Sequence, residues 1–280
     1  MDHTIETCVF PAAGYGTRFL PATKASPKEM LPIVTKPLIQ YGVEEAMQAG
    51  LRNIVFITGR GKRALEDHFD ISYELEHQIH GTSKEKALTE LRKTIRECSI
   101  SYTRQNEMKG LGHAIYCANH MVKEPAFAVV LADDLCYNNG DGVLKQMTDL
   151  YHKYKCSVIA IMEVSPEETS SYGIIEGEEI EEGIYQVKNM VEKPDPGKSP
   201  SNLAIIGRYI LSSEIFELIH NTPPGKNGEI QLTDALMQLA GRGEVIAYKF
   251  KGHRYDCGSV DGFVQATNDF YERFKNNHNA

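Results

Sequence analysis

No stretch of this 280-residue chain approaches the roughly 18 apolar residues of a membrane span, so no membrane segment is expected. The opening MDHTIETCVFP lacks a basic region followed by an apolar one, and no secretory leader is expected either. C-x-x-C pairs are absent. The six cysteines (Cys8, Cys98, Cys117, Cys136, Cys156, Cys257) are scattered, which excludes paired-cysteine metal and redox motifs and reads as reduced thiols in a cytoplasmic protein. There are no repeats, no low-complexity tracts and no boundary of linker quality. Positive charge is short overall: the net charge of −8 excludes a general nucleic-acid binder. Acids, in turn, are scarce at the N-terminus, where only Asp2, Glu6 and Glu29 precede Pro37.

What is present is an ordinary globular composition, with 41% hydrophobic, 9% aromatic and 24% charged residues. Arg18, Lys24, Lys28 and Lys36 gather where acids are scarce. A protein that repels anions overall must concentrate cations locally to hold an anionic substrate. Just ahead of them the apolar run Cys8-Val9-Phe10 breaks into Ala12-Ala13-Gly14-Tyr15-Gly16-Thr17, a loop of small residues on which a ligand can approach the backbone. Bare N–H groups beside fixed cations suit a polyphosphate. Two familiar phosphate loops are excluded: Phe19 stands where G-x-G-x-x-G needs its third glycine, and GxxxxGK[ST] is absent.

Beyond the loop, strands are predicted at Asn53–Thr58, Ile100–Arg104, Phe127–Ala132 and Ser157–Met162. Helices are predicted over Pro37–Gly50, Gly59–Asp70, Leu75–Glu97 (interrupted near Gly81), His113–Met121 and Val143–Lys155. The alternation implies right-handed βαβ units in a mainly parallel, mixed central sheet flanked by helices, a Rossmann-like α/β fold. Tyr172–Glu176 and Ile184–Val191 then flank an acidic turn, Gly177–Gly183, as a hairpin elaboration. A strand at Ala204–Leu211, helices at Ser213–His220 and Gln231–Gly241, a strand at Val245–Phe250 and a helix at Asp261–Phe274 complete the chain. One domain over 1–280 is expected, in two parts, 1–155 and 156–280. His77 and His80, at helical spacing among acids, read as a solvated face.

In a parallel sheet the ligand lies off the carboxyl ends of the strands. The small-residue loop, Gln105, and Asp133-Asp134 all follow strands at that edge. Mg²⁺ favours one or two carboxylates completed by phosphate oxygens and water; by itself, a carboxylate after a strand serves equally as a cap or turn residue. Gln105 offers both a donor and an acceptor on one amide. Gly110 alone reads as a loop residue before a helix, and Lys28 alone as a surface lysine.

The string PAAGYGTRFLPATKASPKEMLPIV closely resembles the signature of the sugar-1-phosphate nucleotidyltransferases, in their uridylyl-transferring bacterial branch, and the likeness runs from about Val9 to Phe274. The resemblance implies transfer of a uridylyl group from UTP to glucose 1-phosphate, giving UDP-glucose and pyrophosphate with Mg²⁺ as cofactor. It implies catalytic roles for Arg18 (toward the leaving pyrophosphate), Lys28 (toward the triphosphate) and Asp133. Nucleotide contacts fall on Ala12, Ala13, Gly14, Gly16, Thr17, Gln105 and Gly110. Sugar contacts fall on Gly173, Glu192, Lys193 and Asp256, with Asp133 and Asp256 as metal ligands. Asp134 is expected to support its neighbour, and Cys257 has no catalytic part. A homodimer or homotetramer is expected. Two other readings stay open: a related enzyme using dTTP or another sugar phosphate, and a non-catalytic paralogue that binds UDP-glucose and regulates a partner.

Overall fold

The computed structural model describes residues 5–225 and 228–278, so the stretch from Met1 on which a leader was judged falls partly outside them. β1 (Thr7–Pro11) carries the chain into the small-residue loop, which coils through three short 3-10 turns before the small ribbon of β2 (Pro32–Ile33) and β3 (Lys36–Pro37). α1 (Leu38–Gln48) starts behind Pro37 and stops at Gly50, whose φ of +89° lets Leu51 N donate to Ala46 O. Then come β4 (Asn53–Thr58), α2 (Arg63–His68), α3 (Tyr73–Ile79), α4 (Thr89–Glu97), β5 (Ser99–Arg104), α5 (Gly110–Tyr116) and β6 (Ala126–Val130). The second half follows as β7 (Asp134–Tyr137), α6 (Val143–Tyr154), β8 (Ser157–Glu163), β9 (Gly173–Glu181), β10 (Ile184–Glu192) and β11 (Leu203–Ser212). α7 (Ile215–Asn221), α8 (Leu232–Ala240), β12 (Val245–Lys249), β13 (His253–Asp256) and α9 (Val260–His278) close the chain.

Among the described residues the central sheet has nine strands in the order β5-β4-β1-β6-β11-β8-β12-β10-β9. Pairing is parallel from β5 through β6 and again between β8 and β12. β11 interrupts the parallel run, antiparallel to both β6 and β8. β9 also meets β11, Ala204 opposite Ile174, so the second half of the sheet curls back on itself. The apolar runs in the sequence arise because both faces are covered. Cys8, Phe10, Ile54, Phe56, Ala128 and Val158 join one core with α1 and α6. Their neighbours Val9, Val55, Ile57, Val129 and Ile159 join a second with α5, α7 and α8. The architecture is α/β and Rossmann-like, with helices on both faces of a mixed sheet.

The helix expected over His113–Met121 runs instead over Gly110–Tyr116, and that expected over Leu75–Glu97 divides into α3, a 3-10 turn and α4. Three further differences bear on the site. The fourth strand stops at Val130 rather than Ala132, and Asp133 sits in a turn before β7. β7 and β13, both unforeseen, form a separate ribbon in which Asp134 lies opposite Asp256. The acidic stretch 177–183 is mostly strand: Gly177 to Glu181 continue β9 against β10, because the exposed face of a hairpin accepts glutamates.

Candidate active site

The loop after β1 is fixed at its start by Ala12 N donating to Ile57 O at 2.8 Å, and both Ala12 and Ala13 are buried. Nothing lies within 4 Å of where a Gly14 side chain would begin, so the backbone is open there. Gly16 is needed twice over: its φ is +64°, and a Cβ would come within 2.9 Å of Lys28 Cβ. Thr23 Oγ1 donates to Gly16 O at 2.7 Å and closes the coil. Thr17 and Arg18 are exposed on its outer turn. Beneath it, Lys62 Nζ, just past β4, donates to Glu29 Oε2 at 2.7 Å in an ion pair buried on both sides. Burial pushes the Glu29 carboxyl up against the pull of Lys62, and Glu29 Oε1 has no partner.

That coil delivers Lys28 Nζ to within 2.6 Å of Asp133 Oδ2, from 105 positions earlier in the chain. Both side chains keep about a quarter of their surface exposed (24% and 26%), so the pair is open to a ligand. Burial would raise the Asp133 carboxyl, but the Lys28 ammonium overrides it and holds it below the usual carboxylate range. Burial would likewise lower Lys28, and Asp133 holds it above its ordinary value. Asp133 is therefore an anion and Lys28 a cation near neutrality.

Asp134 plays the supporting role. Its Oδ2 accepts from Gly207 N at 2.5 Å, and its Oδ1 accepts from Arg254 Nε at 2.6 Å. Arg254 also donates to the Tyr172 hydroxyl at 3.0 Å, tying the rim of the cleft to the β7–β13 ribbon. Behind the turn, fully buried Arg208 donates to Glu45 Oε2 at 2.8 Å and to the Leu131 carbonyl at 3.2 Å. The ribbon brings Asp256 beside Asp133. A Cβ on Gly258 would stand 3.0 Å from Asp133 Oδ2, 3.0 Å from Asp256 Oδ1 and 3.3 Å from Arg18 Nη1. Arg18 Nη1 is anchored by donating to Gly258 O at 3.2 Å. Two carboxylates brought to one point, with Arg18 beside them, fit a divalent cation that takes its remaining ligands from phosphate and water. No cluster of three or more metal-ligating side chains exists among the described residues, so the protein alone would supply a minority of the ligands.

A cleft of about 580 Å³ opens from this point. Arg18, Asp133, Gly173, Glu192, Lys193 and Asp256 line it together. Gly173 pairs with Glu192 across the β9–β10 hairpin; a Cβ there would press on Glu192 Oε2 at 3.1 Å. Glu192 Oε2 accepts from Thr233 Oγ1 at 3.3 Å, and burial pushes its carboxyl up. Lys193 adopts φ +45°, uncommon for a residue with a side chain, as its N–H donates to Tyr172 O at 3.0 Å. Lys28, Ala12, Ala13, Gly14, Gly16, Thr17, Gln105 and Gly110 are not in its lining, although Leu111 and Glu229, next to Gly110, are. Gly110 has a packing reason to be glycine: φ is +88°, and a Cβ would lie 2.9 Å from Glu229 Cβ. Cys257 is buried, and burial pushes its thiol to about 12, leaving it inert.

Sequence reasoning missed Arg254, Thr233 and the Glu29–Lys62 pair as parts of this region, whereas Gly258 lay in a segment that the resemblance had picked out. For Arg254 a signal existed: two positions before Asp256 on a short strand, it shares that residue's face. The others depend on contacts between distant segments.

Residues 9–273 match the nucleotidyl transferase family model. A UTP–glucose-1-phosphate uridylyltransferase of Pseudomonas aeruginosa is 65% identical over 271 residues, 96% of this chain and 97% of its own. The crystal structure of a UDP-glucose pyrophosphorylase complexed with UDP-glucose superposes with a TM-score of 0.90 at 57% identity, covering 96% of this chain and 100% of that one. A UTP-bound UGPase from Acinetobacter baumannii gives 0.87 at 38% identity, covering 95% of this chain and 93% of the other.

Proposed function

Because this chain belongs to the nucleotidyl transferase family, we propose that it transfers the uridylyl group of UTP to glucose 1-phosphate, forming UDP-glucose and releasing pyrophosphate. The relative bound to UDP-glucose and the one bound to UTP support substrate and product. Within this chain, the observation that carries the reading is the meeting of Lys28 and Asp133, and of Asp133, Asp256 and Arg18, beside a cleft that Glu192 and Lys193 also line.

The attacking group is the phosphate oxygen of glucose 1-phosphate, already ionised, so no protein nucleophile or base is required. The new bond joins that oxygen to the α-phosphorus of UTP, and the bond to the bridging oxygen of pyrophosphate breaks in line. The protein aligns and neutralises. Glu192 accepts sugar hydroxyls, with Gly173 leaving room beside it; Lys193 meets the sugar phosphate. Ala12, Ala13, Gly14, Gly16 and Thr17 present backbone to the nucleotide, Lys28 faces the triphosphate, and Arg18 faces the leaving pyrophosphate. Gln105 and Gly110 meet the base. Asp133 and Asp256 would hold Mg²⁺, which would supply charge neutralisation on the phosphates. Residues 1–155 serve mainly the nucleotide and 156–280 mainly the sugar, within one domain. A cytoplasmic location fits substrates of this kind. Among the described residues no helix is long and apolar enough to cross a membrane. Assembly into a homodimer or homotetramer belongs to the same reading, and the exposed Val260, Val264 and Tyr271 of α9 offer a face for it.

The test is pyrophosphate release across a panel of nucleoside triphosphates and sugar 1-phosphates with Mg²⁺. UTP with glucose 1-phosphate should give the highest kcat/KM. A dTTP or other-sugar optimum would redirect the assignment. Tight UDP-glucose binding without exchange of labelled pyrophosphate into UTP would establish the non-catalytic reading instead.

A further inference from the structure

Gln105 ends β5 with its side chain buried at 5% exposure, its own N–H held by Thr58 O at 2.9 Å. Both of its side-chain hydrogen bonds use Nε2: one to the Gly110 carbonyl at 3.1 Å, the other to His113 Nδ1 at 3.0 Å. A carbonyl can only accept, so Gly110 fixes which end of the amide is nitrogen. His113 Nδ1 then takes the second amide hydrogen, which requires a neutral ring with its proton on Nε2. Burial holds the His113 imidazole below its usual range and favours the neutral ring. The amide nitrogen is thus fully engaged. Gln105 Oε1 has no hydrogen-bond partner among the described residues and is not one of the fully buried unpartnered atoms, Glu29 Oε1 and Arg273 Nε, so it keeps some solvent contact and its lone pairs are unused.

We propose that His113 is a positioning residue that locks the Gln105 amide with its oxygen outward, so that the site selects a base carrying a ring N–H. This rests on the reading that Gln105 meets the nucleotide base. An outward acceptor pairs with N3–H of uracil or thymine and opposes the lone pair at N3 of cytosine. If His113 could not accept, one of the two hydrogen bonds that hold the amide would be lost, and the turned amide that suits cytosine, opposed now by the Gly110 carbonyl alone, would cost less to reach.

The experiment compares kcat/KM for UTP and CTP in the full chain and in single variants. His113→Leu removes the acceptor, and His113→Phe does so while keeping a ring. His113→Asn places Oδ1 where Nδ1 stands and keeps it. The leucine and phenylalanine variants should lower the UTP/CTP ratio about tenfold, the scale of one lost hydrogen bond; the asparagine variant should restore it. A merely structural role would lower both substrates together and leave the ratio unchanged. Gln105→Leu separates the two layers. If it leaves the ratio intact, Gln105 does not meet the base, and the underlying reading fails. If it lowers the ratio while His113→Leu and His113→Phe do not, the base reading stands and the role of His113 is refuted.

Discussion

Replacing Gly258 with alanine adds one methyl at the point where Asp133, Asp256 and Arg18 converge. Glycine there is outside the left-handed region, so alanine meets no backbone penalty, and the stiffer unfolded chain offsets part of any strain. The new carbon would lie 3.0 Å from Asp133 Oδ2 and 3.0 Å from Asp256 Oδ1, a few tenths of an ångström closer than such atoms rest. Neither oxygen can retreat freely. Asp133 is pinned by Lys28 at 2.6 Å, and Asp256 Oδ1 accepts from Gly258 N itself at 3.0 Å. Arg18 Nη1, at 3.3 Å, must shift as well. A misplacement of about 1 Å at a reacting centre costs roughly 10²-fold. Displacements of a few tenths at three groups should therefore lower kcat between about tenfold and a hundredfold. The Mg²⁺ concentration for half-maximal rate should rise in parallel. Initial rates of pyrophosphate release over a Mg²⁺ series, with a thermal melt as control, measure both. Wild-type kcat and Mg²⁺ dependence in a folded Gly258→Ala protein would refute the idea that the two carboxylates act together.

Lys28→Ala should depress kcat by roughly 10²–10³ with the melting temperature nearly unchanged, whereas Lys24→Ala, at an exposed position, should do much less; a rise confined to the KM for UTP would contradict a role in the transition state. Lys62→Met leaves buried Glu29 without its partner and should cost about 3–5 kcal/mol in urea unfolding; recovery of most of that loss by adding Glu29→Gln is the second half of the prediction. His68, whose Nε2 bonds Gln40 Oε1 at 2.9 Å, is held below its usual value by burial. Its contribution is therefore fully present above the unfolded value of about 6.5 and is lost as pH falls through the lower folded value. Urea midpoints between pH 7 and 5 should decline less steeply in His68→Gln than in the parent.

Legibility followed burial. β1, β4, β6 and β8 are covered on both faces, so they wrote themselves into the sequence as apolar runs, and the helices between them as periodic ones. DLCY and HRYD carry no such pattern: each is four residues with polar members, and they become strands only by pairing with each other. The reversal at β11 was equally hidden, because Leu203–Ser212 is apolar whichever way it runs. In the site, the position of Asp133 after a strand and the clustering of cations near residue 18 were readable. The Lys28–Asp133 contact, the Arg208–Glu45 pair and the vacancy at Gly258 were not, since each depends on segments that meet only in the folded chain.

The β7–β13 ribbon has a consequence for how the protein is made. Asp134 and Arg254 are 120 positions apart, and Asp256 lies further still. A ribosome delivers the phosphate loop, Lys28 and Asp133 long before it delivers β13, and domains begin to organise from the N-terminal end during synthesis. Closing so long a loop is entropically unfavourable until contacts reward it. Until β13 and the turn after it are made, the second carboxylate and the Gly258 carbonyl that anchors Arg18 are missing. A fragment ending anywhere before residue 253 lacks the partner of β7 and cannot bring Asp256 beside Asp133.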